Sequence, residues 1–256
     1  ADGPEAAAGC DLVLEAIVED LDAKVAALSA LMPHAADDAI LATNTSLLSV
    51  ADLGERLGAP ARTVGMHFFN PAPLLKLVEV VPGAGTDPAV VGRTRAIAEA
   101  WGKVVAVAKD APGFIVNHVA RPYYLEAFRV LEDGVADVAT IDSVMRTAGR
   151  FRMGPFELTD LIGQDVNTAT TRSVWERLDR PALLAPSELQ ESLVAAGDLG
   201  RKTGRGAYDH GADPALPVLT VKKAPLPDDE GFTAAAIAFE AAAADAAGGE
   251  SSTDPR

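Results

Sequence analysis

Apolar and polar positions alternate in two different ways along residues 11–107 of this chain. Short apolar runs predict buried strands at 11–18, 39–43, 63–69, 77–81 and 104–107. Between several of these runs, apolar residues recur at helical spacing and predict helices at 21–32, 49–57 and 87–101. This regular exchange of strands and helices is typical of a mainly parallel sheet with helices on its faces.

The pattern changes near residue 111, after which the predicted strands stop. Helical patterns cover the segments 114–131, 140–148, 156–162, 166–178 and 187–196. Such a change marks a domain boundary, so the expected fold class is α/β followed by all-α. We expect domains at 1–110 and 111–210 and a Pro/Ala-rich tail at 211–256. Within that tail we expect an Ala-rich helix at 232–246 and disorder at 248–256.

Composition and charge narrow the class of protein. The 256 residues carry 22 basic and 37 acidic side chains, a net charge of −15, and 48% of them are apolar. That apolar content is typical of a globular protein, and the acidic balance argues against nucleic-acid partners. No apolar run approaches the roughly 18 residues of a membrane span, so we expect no membrane contact. The single cysteine, Cys10, excludes an internal disulfide and fits a reducing cytoplasm, where we expect the protein.

His67 stands at the end of a predicted strand, immediately before a loop that contains Pro71. Ligands of open α/β sheets bind beyond the strand ends, so this position suits a general base. Glu79 lies inside the next predicted strand, where a carboxylate needs a partner. A His67–Glu79 pair would fix the imidazole tautomer and stabilise its charged form. A polar pair without catalytic duty accounts for the same pattern.

Other polar residues near predicted strand ends carry weaker signals. Asn44 and Ser46 follow the second strand and suit a ribose or a substrate hydroxyl, although the pattern alone favours a turn and a helix N-cap. Asn117 interrupts an apolar helix, either as a site residue or for a hydrogen bond between helices. The charged residues around the end of the first strand are expected on a solvated face: Glu15, Glu19 and Lys24.

Two further patterns point away from metals and phosphates. The other histidines share no ligand spacing, so no metal site is expected. The basic, glycine-rich segment 200–206 lacks the spacing of a phosphate loop and the strand that precedes one, and it predicts a turn.

Taken together, several segments resemble the 3-hydroxyacyl-CoA dehydrogenase family. The matching segments are 11–20 (DLVLEAIVED), 42–46 (ATNTS), 65–71 (GMHFFNP), 76–81 (KLVEVV), 112–117 (PGFIVN), 153–158 (MGPFEL) and 200–206 (GRKTGRG). They occur in the family's order along residues 11–208. The resemblance implies an incomplete Rossmann-type domain that binds NAD. It also implies a C-terminal helical domain that pairs two subunits into a homodimer.

The resemblance also implies a role for each site residue. His67 would remove the proton from the substrate's 3-hydroxyl, and Glu79 would orient His67. Ser46 would hydrogen-bond the reacting oxygen, and Asn117 would help to hold the substrate. The implied contacts of NAD are Ala16, Glu19, Lys24 and Asn44. The implied reaction converts a (3S)-3-hydroxyacyl-CoA to a 3-oxoacyl-CoA, with hydride passing to NAD⁺.

Two segments in the helical part are most similar to one branch of the family. Residues 117–127 and 151–155 resemble the enzymes that act on 3-hydroxyadipyl-CoA in phenylacetate breakdown, which are related to 3-hydroxybutyryl-CoA dehydrogenases. The resemblance therefore implies a place in fatty acid or aromatic acid catabolism.

The chain departs from the family where the pyrophosphate of NAD is bound. There the family has a strand followed by a Gly-x-Gly-x-x-Gly turn, and the 256 residues contain no such spacing. Gly83 and Gly85 come nearest, but Pro88 stands where the third glycine is needed. We interpret the chain as a fragment of a longer gene product. Alone, we expect it to be inactive, to bind NAD weakly, and to self-associate through exposed sheet.

Two alternatives stay open. The first is a non-catalytic dimerisation or scaffold protein with the family's fold, which would have no need of His67, Glu79, Ser46 and Asn117 together. The second is a related β-hydroxyacid dehydrogenase, a class that uses a catalytic lysine and that segment 67–71 disfavours.

Overall fold

A computed structural model describes residues 3–212 and 215–220, which belong to one structural unit of the chain, Ala1–Thr220. The helix expected at 232–246 and the tail expected at 248–256 lie outside the described residues.

Five strands form the central sheet, and they lie side by side in their order along the chain. They are β1 (Leu12–Glu15), β2 (Ile40–Thr43), β3 (Thr63–Phe68), β4 (Leu77–Pro82) and β5 (Val104–Val107). All neighbours pair in parallel except β3 and β4, which pair antiparallel. The connection at 69–76 contains no helix and is too short for a parallel crossover, so the chain returns directly. The predicted mainly parallel sheet is confirmed, with this one antiparallel pair as an addition.

Three helices cover the two faces of the sheet: α1 (Leu21–Leu31), α2 (Val50–Arg56) and α3 (Pro88–Ala100). Successive residues of a strand point to opposite faces, so β2 serves both layers. Ile40 packs in the cluster that contains Val90 of α3, whereas Leu41 packs in the cluster that contains Leu28 of α1 and Leu53 of α2. Each helix begins at a side chain that accepts a backbone N–H, which satisfies part of its first turn: Asp20, Ser49 and Asp87.

Helices make up most of the rest of the described chain. They are α4 (Val116–Glu132), α5 (Val138–Thr147), α6 (Pro155–Ile162), α7 (Gln164–Arg177) and α8 (Glu188–Ala196). α4 contacts α6, α7 and α8, and Phe128 of α4 meets Phe156 of α6 edge to face at 5.0 Å between ring centroids. The predicted fold class, α/β followed by all-α, is confirmed. The division into separate domains at residues 110 and 111 stays a prediction.

A small two-stranded sheet follows the helices and was not predicted. It consists of β6 (Tyr208–Asp209) and β7 (Leu216–Pro217), and the predicted turn at 200–206 precedes it. Two buried carboxylates fasten it to the helices, because Tyr208 donates its hydroxyl to Asp142 and its backbone N–H to Asp160. Strands of two residues carry too little pattern for sequence analysis to find. None of the helices described has the length and apolar character needed to cross a membrane.

The close packing of β3 against β4 gives a test of the fold. A Cβ atom at Gly65 of β3 would lie 2.8 Å from Cβ of Val81 and 3.1 Å from Cγ2 of Val50. We therefore expect Gly65→Ala to lower the free energy of unfolding by about 1–3 kcal/mol through overpacking. The control Gly92→Ala, in α3 with nothing within 4 Å of its added Cβ, should raise it by about 1 kcal/mol. Urea unfolding measures both, and a Gly65→Ala variant as stable as the parent would contradict this packing.

Candidate functional site

The antiparallel pairing of β3 with β4 places His67 directly opposite Glu79. Directly opposed residues of an antiparallel ladder project from the same face, so their side chains meet. His67 Nδ1 lies 2.7 Å from Glu79 Oε2, and the two residues are 3% and 0% exposed. The predicted contact between His67 and Glu79 is therefore present.

The carboxylate decides which nitrogen of His67 is free to act. A carboxylate only accepts hydrogen bonds, so Nδ1 carries the ring proton and donates it to Glu79. Nε2 then holds a lone pair, and the hydroxyl of Ser46 donates to it at an Oγ–Nε2 distance of 3.0 Å. Ser46 follows β2, which runs parallel to β3, so both side chains emerge at the same end of the sheet. This arrangement suits a base that takes a proton from a hydroxyl at the position of Ser46 Oγ.

The second oxygen of Glu79 binds the start of helix α4. Oε1 accepts the backbone N–H of Ile115 at 2.9 Å and that of Val116 at 3.0 Å. These N–H groups belong to the helix terminus, where the positive end of the helix dipole favours a negative charge. One buried carboxylate thus joins His67 on the sheet to the first turn of α4.

Aromatic rings enclose the His67 imidazole. Phe69 and Phe114 both meet it edge to face, with ring centroids 4.6 Å and 5.6 Å away. Phe114 has a φ of +48°, which is uncommon for a residue other than glycine, and Gly113 before it has +75°. These two left-handed residues turn the chain sharply into α4 and bring the Phe114 ring over the histidine.

Glu19 holds the loop that carries Ser46. Its Oε1 accepts the backbone N–H of Ser46 and that of Leu47, each at 2.8 Å, and the hydroxyl of Thr45. Partial burial alone would raise the pKa of Glu19. The hydrogen bonds from Thr45, Leu47 and Ser46, together with the charge of Lys24, outweigh burial and hold this pKa below its usual range. The contact of Glu19 with NAD stays a prediction.

Lys24 and Glu15 form a buried ion pair, so the solvated face expected for them is wrong. Lys24 is 1% exposed and Glu15 is 5% exposed. The Lys24 ammonium lies 2.9 Å and 3.1 Å from the two oxygens of Glu15 and 3.3 Å from Glu19 Oε2. Helix α1 packs over the end of β1, and an ammonium buried there needs anionic partners. The predicted NAD contact of Lys24 stays untested.

The remaining predicted residues lie around this centre without joining it. Asn44 follows β2 and accepts the Phe68 N–H through Oδ1 at 2.9 Å. Ala16 is exposed directly after β1. Asn117 occupies the first turn of α4, next to Val116, and within the described chain its side chain makes no hydrogen bond to Ser46, His67 or Glu79. The described residues contain no group of three His, Cys, Asp or Glu side chains that could hold a metal ion.

Sequence analysis missed two residues near the site. Asp110 accepts the hydroxyl of Ser49 at 3.0 Å and the backbone N–H of Ala51 at 2.8 Å, and so ties the first turn of α2 to the segment after β5. Arg121 is buried in α4, one turn after Asn117. A cation at helical spacing from Asn117 on an apolar stripe is a signal that could have revealed Arg121.

Two family models match the chain. Residues 1–111 match the NAD binding domain of 3-hydroxyacyl-CoA dehydrogenase, and residues 113–210 match its C-terminal domain.

Similar proteins carry consistent names. A 3-hydroxyadipyl-CoA dehydrogenase of Escherichia coli is 46% identical over 208 residues, which make up 81% of this chain and 44% of that protein. A 3-hydroxybutyryl-CoA dehydrogenase of Bradyrhizobium diazoefficiens is 39% identical over 81% of this chain and 71% of its own length. The crystal structure of (S)-3-hydroxybutyryl-CoA dehydrogenase from Ralstonia eutropha superimposes with a TM-score of 0.79 at 35% identity, over 82% of this chain and 74% of that one. The chain thus spans less than half the length of the Escherichia coli relative.

Glu79 binds both His67 and the start of α4, so replacing it with glutamine should destabilise the fold. Glu79→Gln replaces one acceptor oxygen by an NH₂ group, so either His67 or the N–H groups of Ile115 and Val116 lose their acceptor. We expect the free energy of unfolding to fall by about 1–3 kcal/mol. Glu99→Gln makes the same chemical change at an exposed ion pair and should alter it by less than about 0.5 kcal/mol. Thermal or urea unfolding tests this, and equal effects of the two substitutions would refute the bridging role.

Proposed function

This chain belongs to the 3-hydroxyacyl-CoA dehydrogenase family, and on that premise we propose that it takes part in oxidising (3S)-3-hydroxyacyl-CoA thioesters to 3-oxoacyl-CoA, with His67 as the general base. The observation that carries the proposal is the chain of contacts from Glu79 through His67 to Ser46. It leaves an unprotonated ring nitrogen facing a hydroxyl, as a dehydrogenase of hydroxy substrates requires.

The proposed proton transfer uses groups already in position. The substrate's 3-hydroxyl takes the place beside His67 Nε2 that the Ser46 hydroxyl occupies, and Ser46 turns to donate to the substrate oxygen. As the O–H bond breaks, its proton goes to Nε2 and the C3–O bond becomes a carbonyl. The Glu79 carboxylate stabilises the imidazolium that forms. The reaction also needs a hydride acceptor for the hydrogen on C3, which NAD⁺ supplies when bound.

The residues beyond the ends of β1 and β2 suit contacts with a ribose of NAD. We propose Ala16, Glu19 and Asn44 as its ribose contacts, because they lie beyond the carboxyl ends of β1 and β2. Asn44 uses Oδ1 for the Phe68 N–H, which leaves its NH₂ group to donate. Lys24 is committed to Glu15 and Glu19, so we propose that it acts by holding Glu19. For the pyrophosphate, the described residues offer no glycine-rich turn, so the fit is confined to the ribose end.

Assembly and pathway extend the proposal. We propose that the helical part forms a homodimer, which the exposed apolar side chains of Val119, Phe151 and Val166 support. The names of the relatives support an acyl-CoA substrate. We propose a role in fatty acid or phenylacetate catabolism on the resemblance of segments 117–127 and 151–155 alone. Among the substrates in the relatives' names, we favour 3-hydroxyadipyl-CoA, whose acyl group is a six-carbon dicarboxylic acid.

The proposed base is tested by substitution. In the full-length protein, His67→Ala should lower kcat by about 10²–10⁴-fold, because a positioned general base contributes on that order. The exposed residue His34 provides a matched control, and His34→Ala should leave kcat unchanged. The assay is NAD⁺ reduction with a (3S)-3-hydroxyacyl-CoA, and circular dichroism checks that both variants fold. A His67→Ala variant with parental turnover would refute the assignment, and a parent without turnover would favour the scaffold alternative.

The 256-residue chain taken alone is expected to bind NAD weakly. Its sequence contains no Gly-x-Gly-x-x-Gly turn to hold the pyrophosphate, and a net charge of −15 does not attract an anionic cofactor. Calorimetric titration of NAD into the purified chain should show no saturable binding at micromolar concentrations. Saturable micromolar binding would mean that another segment of the chain provides the phosphate site.

A further inference from the structure

Arg121 is a buried cation without an anionic partner. It is 3% exposed, and it donates through Nε to the Asn117 carbonyl at 2.8 Å. Its Nη1 donates to the Asn167 carbonyl at 3.2 Å and to the Thr171 hydroxyl at 3.0 Å. These acceptors are all neutral, and no carboxylate in the part of the chain that the structure describes makes an ion pair with it. Burial lowers the pKa of Arg121 to about 10, although the neighbouring Tyr124 opposes the shift.

Unused hydrogen-bonding groups lie on the facing helix α7. Asn167 is 1% exposed, and its Oδ1 accepts from Gln190 at 3.1 Å. Its Nδ2 and the hydroxyl of the adjacent Thr168 are buried, and neither has a partner among the described residues. Arg121 Nη2 makes no hydrogen bond there either, but unlike those two atoms it is not fully enclosed. Buried donors are normally satisfied, and a buried cation normally has an anion, so this region lacks an acceptor.

Helices α4 and α7 each connect the region around Arg121 with the proposed catalytic centre. On α4, Asn117 precedes Arg121 by one turn, about 6 Å along the axis, and Val116 beside it binds Glu79. Long side chains on a helix lean toward its N-terminus, as the bond from Arg121 to the Asn117 carbonyl shows.

On α7, Thr171 precedes Val174 by about one turn. Val174 belongs to the apolar cluster against which Leu47 packs, and Leu47 follows Ser46 in the chain. The guanidinium is therefore placed about one helical turn from the elements that carry the reacting groups.

We propose that Arg121 binds a carboxylate at the far end of the acyl chain and makes the protein selective for dicarboxylic 3-hydroxyacyl-CoA thioesters. This inference rests on the proposed function and assigns it a specificity residue. In a six-carbon dicarboxylic acyl group, C3 and the terminal carboxyl carbon are three bonds apart, about 4 Å when extended. The distance from C3 to the carboxyl carbon, lengthened by one hydrogen bond, matches the length of one helical turn. The N–H groups of Nη2 and the positive charge of the guanidinium remain available to a carboxylate, and such charge-assisted hydrogen bonds are stronger than neutral ones.

A merely structural role for Arg121 makes a different prediction. If Arg121 only joins α4 to α7, its removal disturbs all substrates alike. If it binds the terminal carboxylate, its removal affects only substrates that have one. Two thioesters of equal chain length separate these roles: 3-hydroxyadipyl-CoA, which ends in a carboxylate, and 3-hydroxyhexanoyl-CoA, which ends in a methyl group.

The test compares Arg121→Met with the parent in the full-length protein. The kcat/KM for 3-hydroxyadipyl-CoA should fall by about 10- to 100-fold, mostly through KM, since a charge-assisted hydrogen bond is lost. The value for 3-hydroxyhexanoyl-CoA should change less than about threefold. Arg129→Met on the same helix is the matched control, because Arg129 already pairs with Glu126 at the surface, and it should change neither value. Arg121→Lys keeps the charge but not the planar guanidinium with its Nη2 donors, so it should give an intermediate loss. It also replaces Arg121→Met in the test if the Met variant does not fold.

Equal losses for the two thioesters, or a parent without preference for the dicarboxylic one, would overturn the proposal. Calorimetric titration of each thioester into parent and variant decides the matter without turnover. Tighter binding of 3-hydroxyadipyl-CoA by the parent, lost in the variant, supports the role of Arg121 even if no oxidation occurs. Absence of oxidation would then count against the proposed function alone.

Discussion

The buried carboxylate of Glu79 is the interaction on which this structure depends. It has no exposed surface, so each of its oxygens needs donors from the protein. His67 supplies one donor, and the backbone N–H groups of Ile115 and Val116 supply the others. These hydrogen bonds fix the register of β3 on β4, the orientation of the imidazole and the point where α4 begins. The sheet and the helices are therefore joined at the proposed catalytic centre.

Other charged side chains follow the same rule around this centre. Glu19 accepts hydrogen bonds from two backbone N–H groups of the loop that carries Ser46, and Lys24 lies between Glu15 and Glu19. In each case a charge finds partners whose positions determine a loop or a helix end. Arg121 differs because its partners among the described residues are neutral: three hydrogen-bond acceptors and the ring of Tyr124. In our proposal, the substrate supplies the anion that Arg121 lacks.

The sequence was sufficient to predict the fold class and the His67–Glu79 contact, but for different reasons. Strand and helix patterns are local, so β1 to β5 and the helices could be predicted from them. The contact was inferred because a carboxylate inside an apolar strand needs a partner, yet the antiparallel pairing that creates it was not foreseen. Burial of Lys24 was missed because its position depends on how α1 packs over the end of β1. Asp110 was missed for the same reason, since its partners are distant in sequence. The spacing of Arg121 from Asn117 is visible in the sequence, but its neutral partners on α7 are not.

The tautomer of His67 reports on its hydrogen bond to Glu79, and measuring it needs neither cofactor nor turnover. Nitrogen-15 NMR of the imidazole side chains at neutral pH distinguishes a protonated ring nitrogen from one with a free lone pair, and a His67→Gln variant assigns the signals. We predict a proton on Nδ1, bonded to Glu79, and an unprotonated Nε2 that faces Ser46. A neutral ring with its proton on Nε2 would contradict this prediction, because Glu79 would then accept no hydrogen bond from His67.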